Sequence, residues 1–536
     1  MLLVLVLVGL LLALPVLTVL GAWLMLDAAG WAQWQHLAST VLPGYAWQSL
    51  LLSVGVALGT LLVGGGCAVL VSLFEFRGRR WLDLALLLPR AMPAYVAAYA
   101  YTDALQFSGP LQTLLRGTFG LQGALWGDVR SLPGAILLFV VCLYPYVYLL
   151  ARTALAERAA PLMEAARMLD GSMARRVLTV ALPLARPALA AGVMLALMET
   201  LADYGVGSYF GLSTLSTGVY KAWLVQGDRW GAAQLASVLL AAVVLCLLLE
   251  RRSQAQLRFS ASRSSGREAP ARQALKGLGA LAAQLACLLP LLLGFVLPVL
   301  VLARLVLREA QFGDIGLPWA AFGNWAWNSL LLAMAGAALT VSLALALSAA
   351  QRLSAAEEGW RVLIIRSVAR LVGLGYAVPG AVIAIGILLP LFWLQPVLPA
   401  LAPWFTGTIA GVLLAYTVRF SGVALQTVEA GYARIPASLD DSARMLGAKG
   451  ARLWMRVHRP LLKRSAWAAA LLVFVDVMKE LPATLVLRPF NSDTLAVMAY
   501  QLARDERLAE AALPALAIVA VGLLPVLLLW RAMKLK

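Results

Sequence analysis

The chain has 536 residues, of which 62% are hydrophobic and only 13% are charged, and its formal net charge is +17. A soluble protein of this length cannot bury so much apolar surface, because a large part of any folded chain stays in contact with water. Composition therefore excludes a soluble enzyme or binding domain and predicts a membrane protein.

Twelve apolar stretches follow one another along the chain, each long enough to form a helix across a bilayer, which takes about 20 residues. The first six cover 2–26, 50–73, 84–106, 132–151, 188–212 and 232–249. The second six cover 278–303, 328–350, 368–390, 404–426, 465–487 and 511–530. The pattern predicts an all-α membrane protein with about 12 transmembrane helices. The first stretch lacks a basic leading segment and a clear cleavage site, so we expect a retained span and not a signal peptide.

Most of the 43 Lys and Arg residues fall in loops on the side of the two chain ends. Cytoplasmic loops collect such residues, so both termini are expected in the cytoplasm of a multi-pass protein. The charge is thus a topology signal, with membrane lipid and not nucleic acid as the surrounding partner. The four cysteines lie in apolar runs without metal-ligand spacing, and the two histidines are far apart. We expect no cofactor and no stably bound metal.

The two halves of the chain resemble each other at a nearly constant offset. Segment 46–51 matches 326–331, and from residue 164 onward the offset settles at 277, which places Thr217 opposite Thr494. An internal repeat of this kind predicts that one chain does the work of a dimer.

The repeat divides the chain into three parts. We predict parallel six-helix repeats at 1–250 and 278–536, joined by a cytoplasmic linker at 251–277 that is rich in Ser, Arg, Ala and Gln.

Long cytoplasmic loops at 157–187 and 433–464 lie between the fourth and fifth spans of each repeat. Each reads as a short helix, a turn marked by Gly, and an amphipathic helix interrupted by Pro. A short amphipathic helix outside the membrane suits docking into a groove on a partner. The candidate coupling residues are Glu164, Ala165, Ala166, Arg167, Gly171 and Pro183 in the first loop, and Asp441, Ala443, Arg444, Gly447 and Pro460 in the second.

This pattern resembles the EAA coupling motif of binding-protein-dependent ABC importer permeases. The resemblance implies the type I ABC importer permease fold, two copies of a separate ATPase subunit that receive the coupling helices, a periplasmic substrate-binding protein, and a bacterial inner membrane. The sequence has no G-x-x-x-x-G-K-[ST] phosphate-binding loop, which favours a transport subunit over an enzyme. The sequence departs from the motif in three places: Asp170 stands at the expected glycine of the first copy, Asp441-Ser442-Ala443 replaces the leading Glu-Ala-Ala of the second, and Arg459 replaces the Leu before Pro460.

Carboxylates occur at the same point of both predicted fifth spans. Glu199 and Asp203 align with Asp476 and Glu480, and each pair is spaced i, i+4, which predicts one shared helix face. A charge at the centre of a membrane helix costs about 2.5–3.5 kcal/mol. A cation translocation pathway would use such groups. A purely structural role, such as Asp476 pairing with Lys479, stays open.

Segments 199–205 and 217–223, with 479–484 and 487–490, resemble the ferric-iron permeases of this superfamily. That resemblance implies import of Fe(III) delivered by a periplasmic binding protein, by alternating access coupled to ATP hydrolysis. Carboxylate oxygens are hard ligands that suit a hard cation.

Other cargoes fit the same architecture. Thiamine, polyamine, phosphonate and sulfate permeases remain alternatives, although an anion pathway would favour basic groups, for which Arg90 and Lys479 are the candidates. A secondary transporter driven by an ion gradient is a more remote alternative.

Overall fold

The computed structural model describes residues 2–156, 166, 172–259, 272–313, 316–354, 359–448 and 450–534. Helices dominate, since a chain in lipid must satisfy its backbone hydrogen bonds internally. The first repeat contains α1 Leu2–Gly21, α2 Ala28–Thr40, α3 Leu42–Leu73, α4 Arg79–Ala85, α5 Ala94–Leu105, α6 Pro110–Phe119, α7 Leu132–Ala154, α8 Met173–Arg176, α9 Leu182–Ala202, α10 Gly205–Tyr209, α11 Leu215–Tyr220 and α12 Arg229–Phe259. The second contains α13 Gly277–Leu291, α14 Leu297–Phe312, α15 Trp319–Leu353, α16 Trp360–Leu374, α17 Gly380–Leu394, α18 Leu401–Thr406, α19 Ala410–Tyr432, α20 Ala437–Met445, α21 Ala451–Leu453, α22 Arg459–Met478, α23 Pro482–Leu487, α24 Leu495–Arg504 and α25 Leu508–Lys534.

Short irregular elements join these helices. Two-residue strands, β1 Phe74–Glu75 and β2 Gln273–Ala274, pair in parallel. Tight 3₁₀ turns occupy Ala22–Met25, Leu88–Ala91 and Gly375–Ala377. π-Helical turns occupy Val177–Ala181, Lys221–Val225, Leu292–Val296 and Trp454–His458.

Within the described residues, nine helices are long and apolar enough to cross a membrane, and α16 with α17 forms a tenth, bent by 117°. The all-α membrane class is therefore confirmed. The predicted spans at 84–106 and 465–487 are not among these ten, and neither is a continuous helix. The first is divided between α4, a 3₁₀ turn and α5, and the second ends as a helix at Met478 and resumes at Pro482.

Proline causes the break in both third spans. Met92 precedes Pro93 and Val378 precedes Pro379, and both residues are extended, with ψ of 114° and 121°. A proline ring clashes with the helical conformation of the residue before it. The helix is therefore interrupted at the same point in both repeats, and the second repeat bends there by 117°.

One compact unit comprises Met1–Leu37, Val219–Leu240 and Trp319–Met498. Its centre is the packing of α15, α19 and α22 against one another, and α1 packs on α16 and α17. The α1 contact is close, since a Cβ on Gly386 would overlap the carbonyl oxygen of Pro15. The Thr18 hydroxyl also donates to the Gly386 carbonyl over 2.6 Å.

The other unit comprises Ala38–Gly218, Ala241–Pro318 and Ala499–Lys536. Its centre is α3, α7 and α9, and α14 packs on α5 and α25. The Tyr101 hydroxyl donates to the Leu293 carbonyl over 2.7 Å. Each unit thus combines the central helices of one repeat with the first span of the other, so the units do not coincide with the predicted parts 1–250 and 278–536.

A repeated hydrogen bond refines the alignment of the two halves. The Ser49 hydroxyl accepts the Leu215 N–H over 2.9 Å, and the Ser329 hydroxyl accepts the Leu495 N–H over 2.8 Å. These bonds place Thr494 opposite Thr214, so the predicted match with Thr217 is wrong by one helical turn.

The predicted linker at 251–277 has two described ends. Residues 251–259 continue α12, and Gln273–Ala274 forms β2. Residues 260–271 lie outside the described part of the chain.

Candidate functional site

Most candidates of the first coupling loop fall outside the described residues: Glu164, Ala165, Arg167 and Gly171. Ala166 is helical, and Pro183 lies at the second position of α9. Between them, the Ser172 side chain caps α8 by accepting the Arg175 N–H over 3.3 Å. In the described part of this loop, α8 and the π-helical turn Val177–Ala181 lead into α9, and the rest of the predicted pattern stays a prediction.

The second coupling loop is described as a helix, α20, followed by a tight glycine turn. Gly447 has a φ of +80° and donates its N–H to the Arg444 carbonyl over 3.0 Å. Ala448 donates to the Ala443 carbonyl over 2.9 Å. These two bonds form a Schellman motif, which requires a residue in the left-handed region and therefore favours glycine.

The end of α20 exposes two large apolar side chains. Met445 is 90% exposed and Leu446 is 89% exposed, directly before Gly447. Asp441 pairs with Arg444 over 3.2 Å at the surface, where such a pair contributes little stability. We define Met445, Leu446 and Gly447 as the coupling tip. Sequence reasoning found only its glycine, although two adjacent apolar residues at the end of a polar helix were a usable signal.

A buried carboxylate fixes α20 to the spans. Asp440 is 4% exposed; the Arg352 guanidinium donates to it over 2.7 Å, and His458 Nε2 lies 3.0 Å from it. Burial alone would raise the pKa of Asp440, but the hydrogen bonds from His458 and Arg352 outweigh burial and hold this pKa below its ordinary value.

These contacts connect α20 to two membrane helices. Arg352 lies at the end of α15, and His458 directly precedes α22. We call Asp440, Arg352 and His458 the anchor. Sequence reasoning missed it, because its members are up to 106 residues apart in the chain.

The predicted carboxylate pairs do not share one continuous helix face. Helix α22 ends at Met478, before Glu480, and α9 ends at Ala202, before Asp203. Only Asp476 and Glu199 lie inside the helices. The prediction failed because i, i+4 spacing defines a face only where the helix continues.

Glu480 caps the short helix that follows the break in the second repeat. Its side chain is 2% exposed and accepts the N–H groups of Ala483 and Thr484, both over 3.0 Å. A carboxylate at a helix N-terminus also interacts favourably with the helix dipole. Arg419 lies 3.6 Å from the same carboxylate.

Arg419 lies inside α19, in the predicted span 404–426. Its side chain is largely buried against Glu480, and a Cβ on Gly380 would lie 2.7 Å from Arg419 Nη1 and 3.0 Å from Glu480 Oε1. Glycine at the start of α17 therefore makes room for the ion pair, and the breaks of the third and fifth spans meet there.

Asp203 has the corresponding capping role in the first repeat, in different surroundings. It is extended and half-buried, and it accepts the Val206 N–H over 2.8 Å. The neighbouring Tyr204 lies within hydrogen-bonding distance of the Tyr500 hydroxyl, at 3.3 Å. One turn before the break, Tyr146 donates to Glu199 over 3.4 Å. Sequence reasoning found the two carboxylates and missed Tyr500.

No group of three or more His, Cys, Asp or Glu side chains placed to hold a metal ion occurs among the described residues. The carboxylates are instead distributed singly, each at or near a helix break. Such an arrangement can orient backbone amides and offer oxygen ligands transiently.

Comparison with known proteins finds similarity to components of membrane transport systems. Residues 60–255 match the model for "Binding-protein-dependent transport system inner membrane component". The chain is 24% identical over 485 residues to the Fe(3+)-transport system permease protein FbpB 2 of Haemophilus influenzae, covering 90% of this chain and 88% of that relative. It is 29% identical over 213 residues to the molybdenum transport system permease protein ModB of Escherichia coli, covering 38% of this chain and 91% of that relative. It is 28% identical over 191 residues to a probable sulfate transport system permease protein of Prototheca wickerhamii, covering 34% of this chain and 72% of that relative.

Proposed function

We propose that this chain is an inner membrane component of a binding-protein-dependent transport system and, within that family, the ferric-iron permease of an ATP-driven importer. The observation that supports ferric iron as the cargo is the extent of the sequence similarity. The Fe(3+) permease aligns with 90% of the chain and therefore with both repeats, whereas the molybdenum permease aligns with 38%.

The partners follow from the family and from the coupling tip. A separate ATPase subunit, in two copies, would bind the two cytoplasmic loops, and a periplasmic binding protein would deliver Fe(III). Met445 and Leu446 are too exposed to contribute to the packing of this chain, and their apolar side chains suit a groove on the ATPase. Both termini would face the cytoplasm of a bacterium's inner membrane.

In the mechanism that we propose, α22 transmits movement from the coupling tip to the helix break. ATP binding closes the ATPase pair and moves the coupling tip, and the anchor passes this movement to the cytoplasmic ends of α15 and α22. Helix α22 has 20 residues, so it spans about 30 Å. It therefore connects the anchor at His458 with the helix break capped by Glu480, where a shift could change access to the pathway.

A second candidate cargo is an oxyanion, which the 29% identity to the molybdenum permease favours. The charge of the second repeat argues against it, because Arg419, the arginine inside α19, lies beside the Glu480 carboxylate. A cation neutralised in this way attracts an anion weakly.

The test is uptake of radiolabelled Fe(III) by cells with and without this gene, with molybdate, thiamine and spermidine measured in parallel. We expect iron uptake alone to fall when the gene is removed. If uptake of another solute falls while iron uptake is unchanged, the chain would still be an importer permease, but ferric iron would not be its cargo.

A further inference from the structure

An open groove runs between α15 and α22 in the unit that contains both helices. Its volume is about 1020 Å³, and its walls are mostly apolar. Characteristic lining residues are Leu330, Met334, Val341, Trp467, Leu471 and Phe474. Trp467 is 69% exposed, so the groove is open at the surface of the chain.

One end of the groove is basic. Arg459 and Lys463 line it at the start of α22, the end of that helix next to the second coupling loop and predicted to be cytoplasmic, and no acidic residue lines the groove. The two cations are spaced i, i+4 on α22 and therefore share a helix face. Within the described part of the chain, neither has a carboxylate within 4.0 Å.

The first repeat lacks this combination. At the offset of 277, Arg459 corresponds to Leu182, Lys463 to Arg186, and Trp467 to Ala190. Arg459 is also the residue that departs from the Leu-Pro of the coupling motif. The second repeat therefore has one more cation and a tryptophan at positions where the first repeat has Leu and Ala.

We propose that this groove binds one anionic phospholipid of the cytoplasmic leaflet. Its phosphate would lie between Arg459 and Lys463, and its acyl chains would follow the apolar wall toward Phe474. Basic sites between membrane helices on the cytoplasmic side suit such headgroups. Trp467 fits this role, since tryptophan favours the boundary between headgroups and hydrocarbon. The proposal does not depend on which substrate the protein imports.

The experiment is native mass spectrometry of the purified full-length chain in neutral detergent, titrated with phosphatidylglycerol or with phosphatidylcholine. We expect the wild type to bind phosphatidylglycerol in preference. The double variant Arg459→Leu/Lys463→Gln should bind it about 30-fold more weakly, from about fivefold for each cation. Arg186→Gln in the first repeat is the matched control and should leave the affinity unchanged.

Two further measurements separate the alternatives. Ala470→Trp fills the groove and keeps both cations, so it should also remove the lipid, and it tests the proposal if the double variant fails to fold. Inorganic phosphate at millimolar concentration should not displace the lipid, because the acyl chains contribute to binding. Equal binding of phosphatidylcholine, unchanged affinity in the double variant, or a second copy of the chain occupying the groove would overturn the proposal.

Discussion

Each repeat ends its fifth span with a carboxylate that caps a short helix, but the two carboxylates lie in different surroundings. Glu480 is buried, accepts two backbone N–H groups and pairs with Arg419. Asp203 is half-buried, accepts the Val206 N–H and lies among tyrosines. The same position of the repeat is therefore fully buried beside an arginine in one half and half-buried in the other. Substitutions at Glu480 and Asp203 test this asymmetry, and substitutions at Asp440 and Gly447 are expected to have effects on stability between those two.

Neutralising Glu480 should have the largest effect. Glu480→Gln leaves Arg419 buried without its counter-charge, and breaking such a pair costs about 3 kcal/mol in the free energy of unfolding. Thermal unfolding in detergent measures it. The exposed pair between Arg130 and Glu506 is the control, and Glu506→Gln should cause no measurable change.

The pair itself can be isolated by a double variant. Arg419→Met/Glu480→Gln removes both charges and should be more stable than Glu480→Gln alone. Equal stability of the single and double variants would contradict a structural ion pair.

Removing the anchor should have the next largest effect. Asp440→Asn takes the negative charge from between Arg352 and His458 and should cost about 2 kcal/mol, since Arg352 is partly exposed. Because the folded-state pKa of Asp440 is lowered, its ionised form stabilises the folded protein above the unfolded pKa of about 4. This stabilisation is lost as pH falls through the lower folded pKa.

The pH dependence provides the measurement. The difference in thermal stability between wild type and Asp440→Asn should be constant above about pH 5 and shrink below about pH 4. A difference that stays the same down to about pH 2 would contradict the ionised Asp440 carboxylate as the source of the stabilisation.

The glycine of the coupling tip should affect stability less than the anchor. Gly447→Val forces a β-branched residue to a φ of +80°, which costs about 1–2 kcal/mol, while no neighbouring atom would be displaced. We expect uncoupling, measured in proteoliposomes with the ATPase and binding protein as ATP hydrolysed per Fe(III) imported. Gly447→Asn is the matched control, because Asn tolerates the left-handed region. If the two variants hydrolyse the same amount of ATP per Fe(III) imported, the coupling tip has no role in coupling.

Neutralising Asp203 should affect stability least and transport strongly. Asn keeps a side-chain carbonyl for the Val206 N–H and is about as good a cap as Asp, so Asp203→Asn should change stability by about 0.5 kcal/mol or less. Loss of the charge should abolish Fe(III) uptake in cells if the carboxylate contacts the cation. Undiminished uptake would leave Asp203 with a capping role alone.

Hydropathy alone predicted the helices well, because lipid imposes the same requirement on every span. It could not reveal that α1 packs with α16 and α17, since an apolar sequence reports burial and not the identity of the neighbour. The breaks in the third spans could have been predicted from the sequence. Pro93 and Pro379 lie inside these spans, and a proline disfavours the helical conformation of the residue before it.

The candidate site was only partly predictable for a similar reason. Asp203 and Glu480 were recognisable as charges in apolar surroundings, but their capping role depends on the end of the preceding helix. The anchor could be recognised only from the folded structure, because nothing in the sequence near Asp440 indicates that Arg352 and His458 contact it.

The most direct test of the proposed function is purification of the tagged chain from its native membrane, followed by identification of the proteins that accompany it. We predict that an ATPase subunit with a G-x-x-x-x-G-K-[ST] loop accompanies the wild type and is lost with Leu446→Asp. The control is Val397→Asp, an exposed position on the predicted opposite side of the membrane, which should retain the ATPase. If no ATPase accompanies the wild type, and Fe(III) uptake stops when the proton gradient is collapsed at constant ATP, the chain would be a secondary transporter, which would contradict an ATP-driven importer.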